Sequence, residues 1–165
     1  MKTKKVAFLG ISIALAMILS FVESQIPALV AIPGIKVGLP NLVMVFLLYR
    51  IGWKETVIVS IIRIILVSIV FGKIMPGMIF ALSGAILSLL SMILLKKLNL
   101  FSCIAVSVVG GIFHNVGQII AACLWTQTAE VALYLPVLLV SGTIAGAVIG
   151  LIAGMLVKRL EKWRF

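Results

Sequence analysis

The chain has 165 residues, 64% of them hydrophobic, with only 14 basic and four acidic residues, which excludes an ordinary soluble domain. The net charge of +10 comes from short basic clusters at the ends of apolar runs. Membrane topology places lysine and arginine there, so nucleic acid is not an expected partner. The composition predicts an integral membrane protein that lies in the lipid bilayer.

Apolar runs of spanning length recur along the chain with no polar block between them. A bilayer core requires about 20 apolar residues per helix, so we expect an all-α, six-transmembrane-helix bundle that forms one membrane domain over residues 1–165. The first run lacks an A-x-A-like cleavage site, which favours a retained helix over a cleaved signal peptide. The predicted helices, of which the second is short, cover residues 6–22, 38–51, 55–72, 75–95, 101–125 and 131–157.

Basic residues at the ends of the predicted helices fall mainly on one side of the membrane, whereas only Lys36 and Lys73 fall on the other. The positive-inside rule therefore predicts that both termini are cytoplasmic, in a multi-pass protein of a prokaryotic cell membrane. The basic residues of the cytoplasmic side are Lys2, Lys4, Lys5, Arg50, Lys54, Lys96, Lys97, Lys158, Arg159, Lys162 and Arg164.

The segment between helices one and two, ESQIPALVAIPGIKVGLPN at 23–41, contains three of the five prolines. Proline disfavours helix at the residue before it, so we expect an irregular external segment that returns to helix at Pro40. Such a segment can act as a lid over a site or serve as an ordinary connector. The sequence leaves both readings open.

Helix six carries four glycines at intervals of four residues, which form one stripe and let another helix approach closely. Helix one has a weaker pattern of small residues that includes Gly10 and Ala14. The helix that packs on each stripe can belong to this chain or to another protein. The glycines of helix six are Gly142, Gly146, Gly150 and Gly154.

Polar side chains interrupt the fifth apolar run at GGIFHNVGQ, residues 110–118. Helical spacing places His114, Asn115 and Gln118 close together on a face of small residues, which we expect to point into the bundle. They either bridge helices by hydrogen bonds or form a ligand site, which the neighbouring glycines favour by leaving space. The opposite, apolar face contains Val108, Ile112, Val116, Ile119 and Cys123.

Arg63 lies near the middle of the third predicted helix, where an arginine is costly unless it pairs with an acid or lines a wet cavity. Glu23 and Glu130 are the acidic residues of the outer side and are candidate ion-pair partners. The alternative partner is an anionic group of a substrate, which a guanidinium binds through two hydrogen bonds. Lys36 and Lys73 either add positive charge to such a site or are simply solvated.

The chain has no aspartate, a single histidine and no GxxxxGK[ST], HExxH or CxxC motif. We therefore expect no catalytic centre, no ATP hydrolysis through a phosphate loop, no cofactor and no metal site. Cys103 and Cys123 are interpreted as small apolar residues.

Two segments, IPGIKVGLPNLV at 32–43 and GGIFHNVGQIIAA at 110–122, resemble the Gx transporter family, also labelled heptaprenyl diphosphate synthase component I. With its short helices, the chain is similar to substrate-binding S components of energy-coupling factor transporters. That resemblance implies a small molecule bound near the outer leaflet, and a complex with a transmembrane coupling protein and two ATPase subunits. It also implies that a face of helix one, here with Gly10 and Ala14, slides on the coupling protein.

These expectations combine into a substrate-capture subunit of an importer for a vitamin-like or isoprenoid- or quinone-related molecule. The alternatives are a membrane accessory subunit of a prenyl diphosphate synthase and a stand-alone secondary transporter. The chain is not expected to be such a synthase itself, since those enzymes hold magnesium diphosphate with aspartate-rich motifs. The residues expected to bind substrate are His114, Asn115, Gln118, Arg63, Glu23, Lys36 and Asn41.

Overall fold

The computed structural model describes residues 2–25, 38–72 and 75–161. Over these ranges the chain is all-α, without a strand, and its helices number six, as the apolar runs predict. The helices are α1 (Lys2–Gln25), α2 (Asn41–Arg50), α3 (Trp53–Val70), α4 (Gly77–Leu98), α5 (Cys103–Thr126) and α6 (Leu135–Arg159).

Four helical segments are long and apolar enough to cross a membrane, namely Thr3–Gln25, Gly77–Leu98, Cys103–Thr126 and Glu130–Arg159. The remaining two helices differ from them. The 18 residues of α3 include three charged side chains. The ten residues of α2 extend only about 15 Å at a rise of 1.5 Å per residue, roughly half of a 30 Å hydrocarbon core. The described residues therefore form an all-α protein with four long apolar helices. The sequence predicts six membrane spans, two more than this number.

Helices α2 and α6 begin later than the sequence predicts. Residues 38–40 form a turn, because Gly38 has a φ of +75° and Pro40 directly precedes the first residue of α2. Residues 130–134 form a 3-10 turn, and α6 begins only at Leu135 with Pro136 in its first turn. Proline lacks the N–H that a continuous α-helix from residue 131 would need at this position.

Helix α5 is packed between α4 and α6, and glycines bring the three backbones close together. A Cβ atom at Gly117 would lie 2.6 Å from the carbonyl oxygen of Ser83 in α4. On the other side, Cβ atoms at Gly146 and Gly150 of α6 would each lie 2.7 Å from a Cα atom of α5. The glycine stripe of helix six therefore packs against α5 of the same chain.

The outward face of α5 differs from the predicted one. Ile119, expected on that face, is only 8% exposed, whereas Ile120 is 50% and Leu124 75% exposed. The reason is that α4 and α6 cover two sides of α5, so only a narrow stripe of α5 is left exposed. The polar residue Asn115 is buried, which agrees with the prediction that this side points into the bundle.

Helix α2 is nearly enclosed by protein. Its residues Val45 and Leu48 pack with side chains of α4, α5 and α6, while Met44 and Leu47 pack with side chains of α1 and α3. The short helix therefore joins two halves of the core.

Helix α1 lies at the edge of the bundle. Ser12 and Ala16 of α1 are buried by the rest of the bundle, whereas Gly10 and Ala14 are exposed. A Cβ atom at Gly10 would have no neighbour within 4 Å. The two small residues expected to meet a coupling protein thus lie on an open surface of the chain.

Candidate functional site

A cavity of about 170 Å³ lies where the end of α1, the start of α2 and the second half of α3 meet the middle of α4, α5 and α6. Six of the seven residues predicted to bind substrate line it, and the seventh, Lys36, lies outside the described residues. The basic clusters at the ends of the helices lie at the opposite end of the bundle. The six lining residues are Glu23, Asn41, Arg63, His114, Asn115 and Gln118.

The guanidinium of Arg63 is incompletely satisfied. Its Nη1 donates to the Ser20 hydroxyl at 3.4 Å, and its Nε is buried without a hydrogen-bond partner among the described residues. No described carboxylate lies within 4.0 Å of it, so the candidate ion pairs with Glu23 and Glu130 are not formed. Glu23 acts on the guanidinium only through space, as a nearby charge. The cavity wall therefore carries a guanidinium that no described carboxylate contacts.

Glu23 has a partner on another element. Its carboxylate accepts a hydrogen bond from the backbone N–H of Gly38, which ties the end of α1 to the turn before α2. A side chain at Gly38 would be strained by the positive φ and would meet Ile149 of α6 at 3.3 Å. This turn fixes the position of Asn41, the first residue of α2, on the cavity wall.

The polar residues of α5 divide into two roles. Asn115 donates through Nδ2 to the carbonyl oxygen of Leu138 at 2.5 Å, so it bridges α5 to α6 while it lines the cavity. His114 and Gln118 lie against α4 at Gly84, where a Cβ atom would stand 3.0 Å from His114 Cε1 and 2.9 Å from Gln118 Cγ. Among the described residues Gln118 has no side-chain hydrogen bond, which leaves its amide available to a ligand.

Buried serines add hydroxyl groups that the sequence did not single out. Ser68 of α3 and Ser88 of α4 are each 4% exposed and line the cavity, as does Ser20 at its α1 side. Their only signal in the sequence is a serine within an apolar helix, which is too common to indicate a site. Within the described ranges no group of three His, Cys, Asp or Glu side chains could hold a metal ion.

The chemistry of the cavity is that of recognition through hydrogen bonds. It combines one guanidinium, one carboxylate, three amides, several hydroxyls and the single imidazole of the chain. A guanidinium binds carboxylates and phosphates with two parallel hydrogen bonds, and such bonds are stronger where water is excluded. The arrangement therefore suits a small molecule with an anionic group.

Comparison with known proteins adds one match. The family model described as heptaprenyl diphosphate synthase component I matches residues 12–156, a range that contains all the described residues of the cavity wall. No curated protein matches the chain, and no solved structure does. The match confirms the family that the two segments at 32–43 and 110–122 indicate. The chain belongs to the heptaprenyl diphosphate synthase component I family.

Proposed function

We propose that the chain is a membrane component that binds a small anionic molecule of the prenyl diphosphate class around Arg63, and that a partner subunit performs the step requiring chemistry or energy. The observation that carries this proposal is the buried Nε of Arg63, which has no hydrogen-bond partner in the part of the chain that the structure describes. A buried charge without a partner costs several kcal/mol. An anionic ligand beside the guanidinium would reduce that cost, which favours binding.

The first setting is a prenyl diphosphate synthase complex. The family description names a component of a heptaprenyl diphosphate synthase, and the chain has no aspartate with which to hold magnesium diphosphate. The chain is then a non-catalytic subunit that holds the substrate or product, and an aspartate-rich subunit is its partner. Reconstitution with such a synthase should change the product chain length relative to the synthase alone.

The second setting is the substrate-binding subunit of an energy-coupling factor importer. Two observations favour it: the cavity lies at the end opposite the basic clusters, and Gly10 and Ala14 are exposed on α1. In this setting the chain has six spans and cytoplasmic termini in a cell membrane, and the cavity opens toward the outside. Gly10→Leu and Ala14→Leu should then leave ligand binding intact but abolish uptake that depends on the coupling protein and two ATPases.

Binding itself is tested on the purified chain in detergent with inorganic diphosphate and isopentenyl diphosphate, by calorimetry and native mass spectrometry. Arg63→Gln should weaken the binding of each of the two ligands by about 30-fold or more, because loss of a desolvated charge partner costs about 2–5 kcal/mol. Arg63→Lys should restore part of the affinity, since lysine keeps the charge but not the paired geometry. Lys158→Gln, at the exposed opposite end, is the matched control.

Equal binding by the wild-type chain and Arg63→Gln would contradict the proposal. Equal loss in Arg63→Gln and Lys158→Gln would likewise contradict it, because it would show general attraction to a basic surface.

A further inference from the structure

The size of the cavity limits what part of a ligand it can hold. Its volume is about 170 Å³, and an engineered protein cavity of about 150 Å³ binds a single benzene molecule. The cavity around Arg63 therefore accommodates a head group of about that size. A chain of several isoprene units has to lie elsewhere.

A second hollow, the α3–α4 groove, lies between those two helices and has a volume of about 130 Å³. Among the described residues of its wall, Ser60 is the one polar residue. Its rim faces outward, since Ile86 is 55% and Leu90 60% exposed. Helix α4 packs closely against α5 but only loosely against α3. The groove is thus an apolar slot that opens to the surroundings of the bundle.

The groove and the cavity share a wall. Ile64 lines both of them, is 3% exposed and directly follows Arg63 in α3. On α4, Ser88 lines the cavity and the next residue, Leu89, lines the groove. One layer of side chains, to which Ile64 belongs, therefore separates the cation site from the apolar slot.

We propose that the α3–α4 groove holds the apolar chain of the same ligand whose anionic head lies at Arg63. The occupant is a prenyl or alkyl chain that leaves the cavity past Ile64 and extends between α3 and α4 toward the bilayer. This inference rests on the proposed function and specifies its substrate as a molecule with two parts. A ligand with two parts explains why the cavity around Arg63 is only as large as a head group. It also explains why the neighbouring groove is almost entirely apolar.

The test uses farnesyl diphosphate with a diazirine in its last isoprene unit, and the full chain in phosphatidylcholine nanodiscs. After illumination, mass spectrometry should find the label on the groove rim at Ile61, Ile86 or Leu90. Excess inorganic diphosphate should abolish this labelling, because it displaces the head and thereby the attached chain. Arg63→Gln should abolish it as well.

Variants at exposed positions keep the test independent of folding. Leu90→Trp, on the rim, should fill the groove and abolish the label there while inorganic diphosphate still binds. Ile144→Trp, at a position of α6 that is 62% exposed and lines neither hollow, should leave the labelling unchanged. A neutral prenol with the same diazirine chain serves as the control for the head group. Any label that it leaves in the groove should not decrease when excess inorganic diphosphate is added.

The outcomes separate the two proposals. Groove labelling that survives excess diphosphate or Arg63→Gln would show an ordinary lipid-chain site and overturn the inference alone. Labels scattered over the exposed faces of α1 and α6, with diphosphate binding intact, would do the same. Failure of the wild-type chain to bind diphosphate would instead overturn the proposed function, and this inference with it.

Discussion

Gly111 of α5 lies so close to Gly142 of α6 that a Cβ atom on Gly111 would stand 2.5 Å from the carbonyl oxygen of Gly142. The neighbouring atom belongs to the backbone, so it cannot move aside as a flexible side chain can. One turn along α5, Asn115 donates to Leu138 of α6. The close approach of two glycines thus brings α6 within reach of the Asn115 amide, and both helices then form one side of the cavity.

Gly111→Ala should separate α5 from α6 and destabilise the protein by about 1–3 kcal/mol, the usual cost of overpacking. Gly154→Ala is the matched control on the same helix pair, because its Cβ atom would lie 3.7 Å from Cys103 Cβ at ordinary contact. That control should be neutral or more stable by about 0.5–1 kcal/mol, since alanine favours helix. Thermal unfolding in detergent, followed by tryptophan fluorescence, measures both. Equal stability of the two variants would contradict the packing described for Gly111.

Arg63→Met should make the ligand-free protein more stable by about 1–4 kcal/mol, the gain seen when apolar residues replace buried ionic groups. The same variant should lose diphosphate binding, because the anion then has no guanidinium to meet. Thermal unfolding without any phosphate or carboxylate buffer measures the first effect, and calorimetry measures the second. Lys158→Met, at an exposed position, should change neither. A less stable Arg63→Met protein would indicate that the guanidinium is satisfied in the ligand-free state.

Much of the fold follows from the sequence because apolar runs and basic clusters are local signals. The number of helices and the inward direction of Asn115 are of this kind. The boundaries of the helices were less predictable. Lysines extend α4 past its apolar run, and a positive φ at Gly38 lies just before α2, which begins only at Asn41. The packing of Gly142 and Gly146 on α5 required tertiary structure, because a glycine stripe does not name its partner.

The residues that line the cavity could be selected one by one from the sequence, but their arrangement could not. An arginine, a histidine and two amides within apolar helices each attract notice, because burying them is costly. That Arg63 of α3 and His114 of α5 line one cavity depends on how α2 and α4 set the spacing between helices. The same holds for Ser68 and Ser88, whose role as wall residues appears only once the helices are packed.

Lys5 of α1 and Glu55 of α3 form an ion pair at 2.5 Å, which holds the start of a helix that otherwise lies at the edge of the bundle. Both side chains are partly exposed, so a double-mutant cycle with Lys5→Gln and Glu55→Gln should give a coupling of about 0.2–1 kcal/mol. Salt should reduce it. Thermal unfolding of the four proteins at low and high salt measures this. Lys4→Gln, one residue away and exposed, should show no coupling to Glu55→Gln.

Glu23→Gln should tighten the binding of inorganic diphosphate by about tenfold, which corresponds to ~1.4 kcal/mol. The carboxylate lines the same cavity as Arg63 and repels an anion there, whereas the amide is neutral. The glutamine oxygen can still accept the hydrogen bond from the Gly38 N–H, so the turn before α2 should persist and thermal stability should change little. Calorimetry at low ionic strength gives the affinity, and Glu130→Gln, outside the cavity, is the control for net charge. Weaker binding by Glu23→Gln alone would mean that Glu23 contacts a donor group of the ligand, and the ligand class would then be a zwitterion instead of a simple anion.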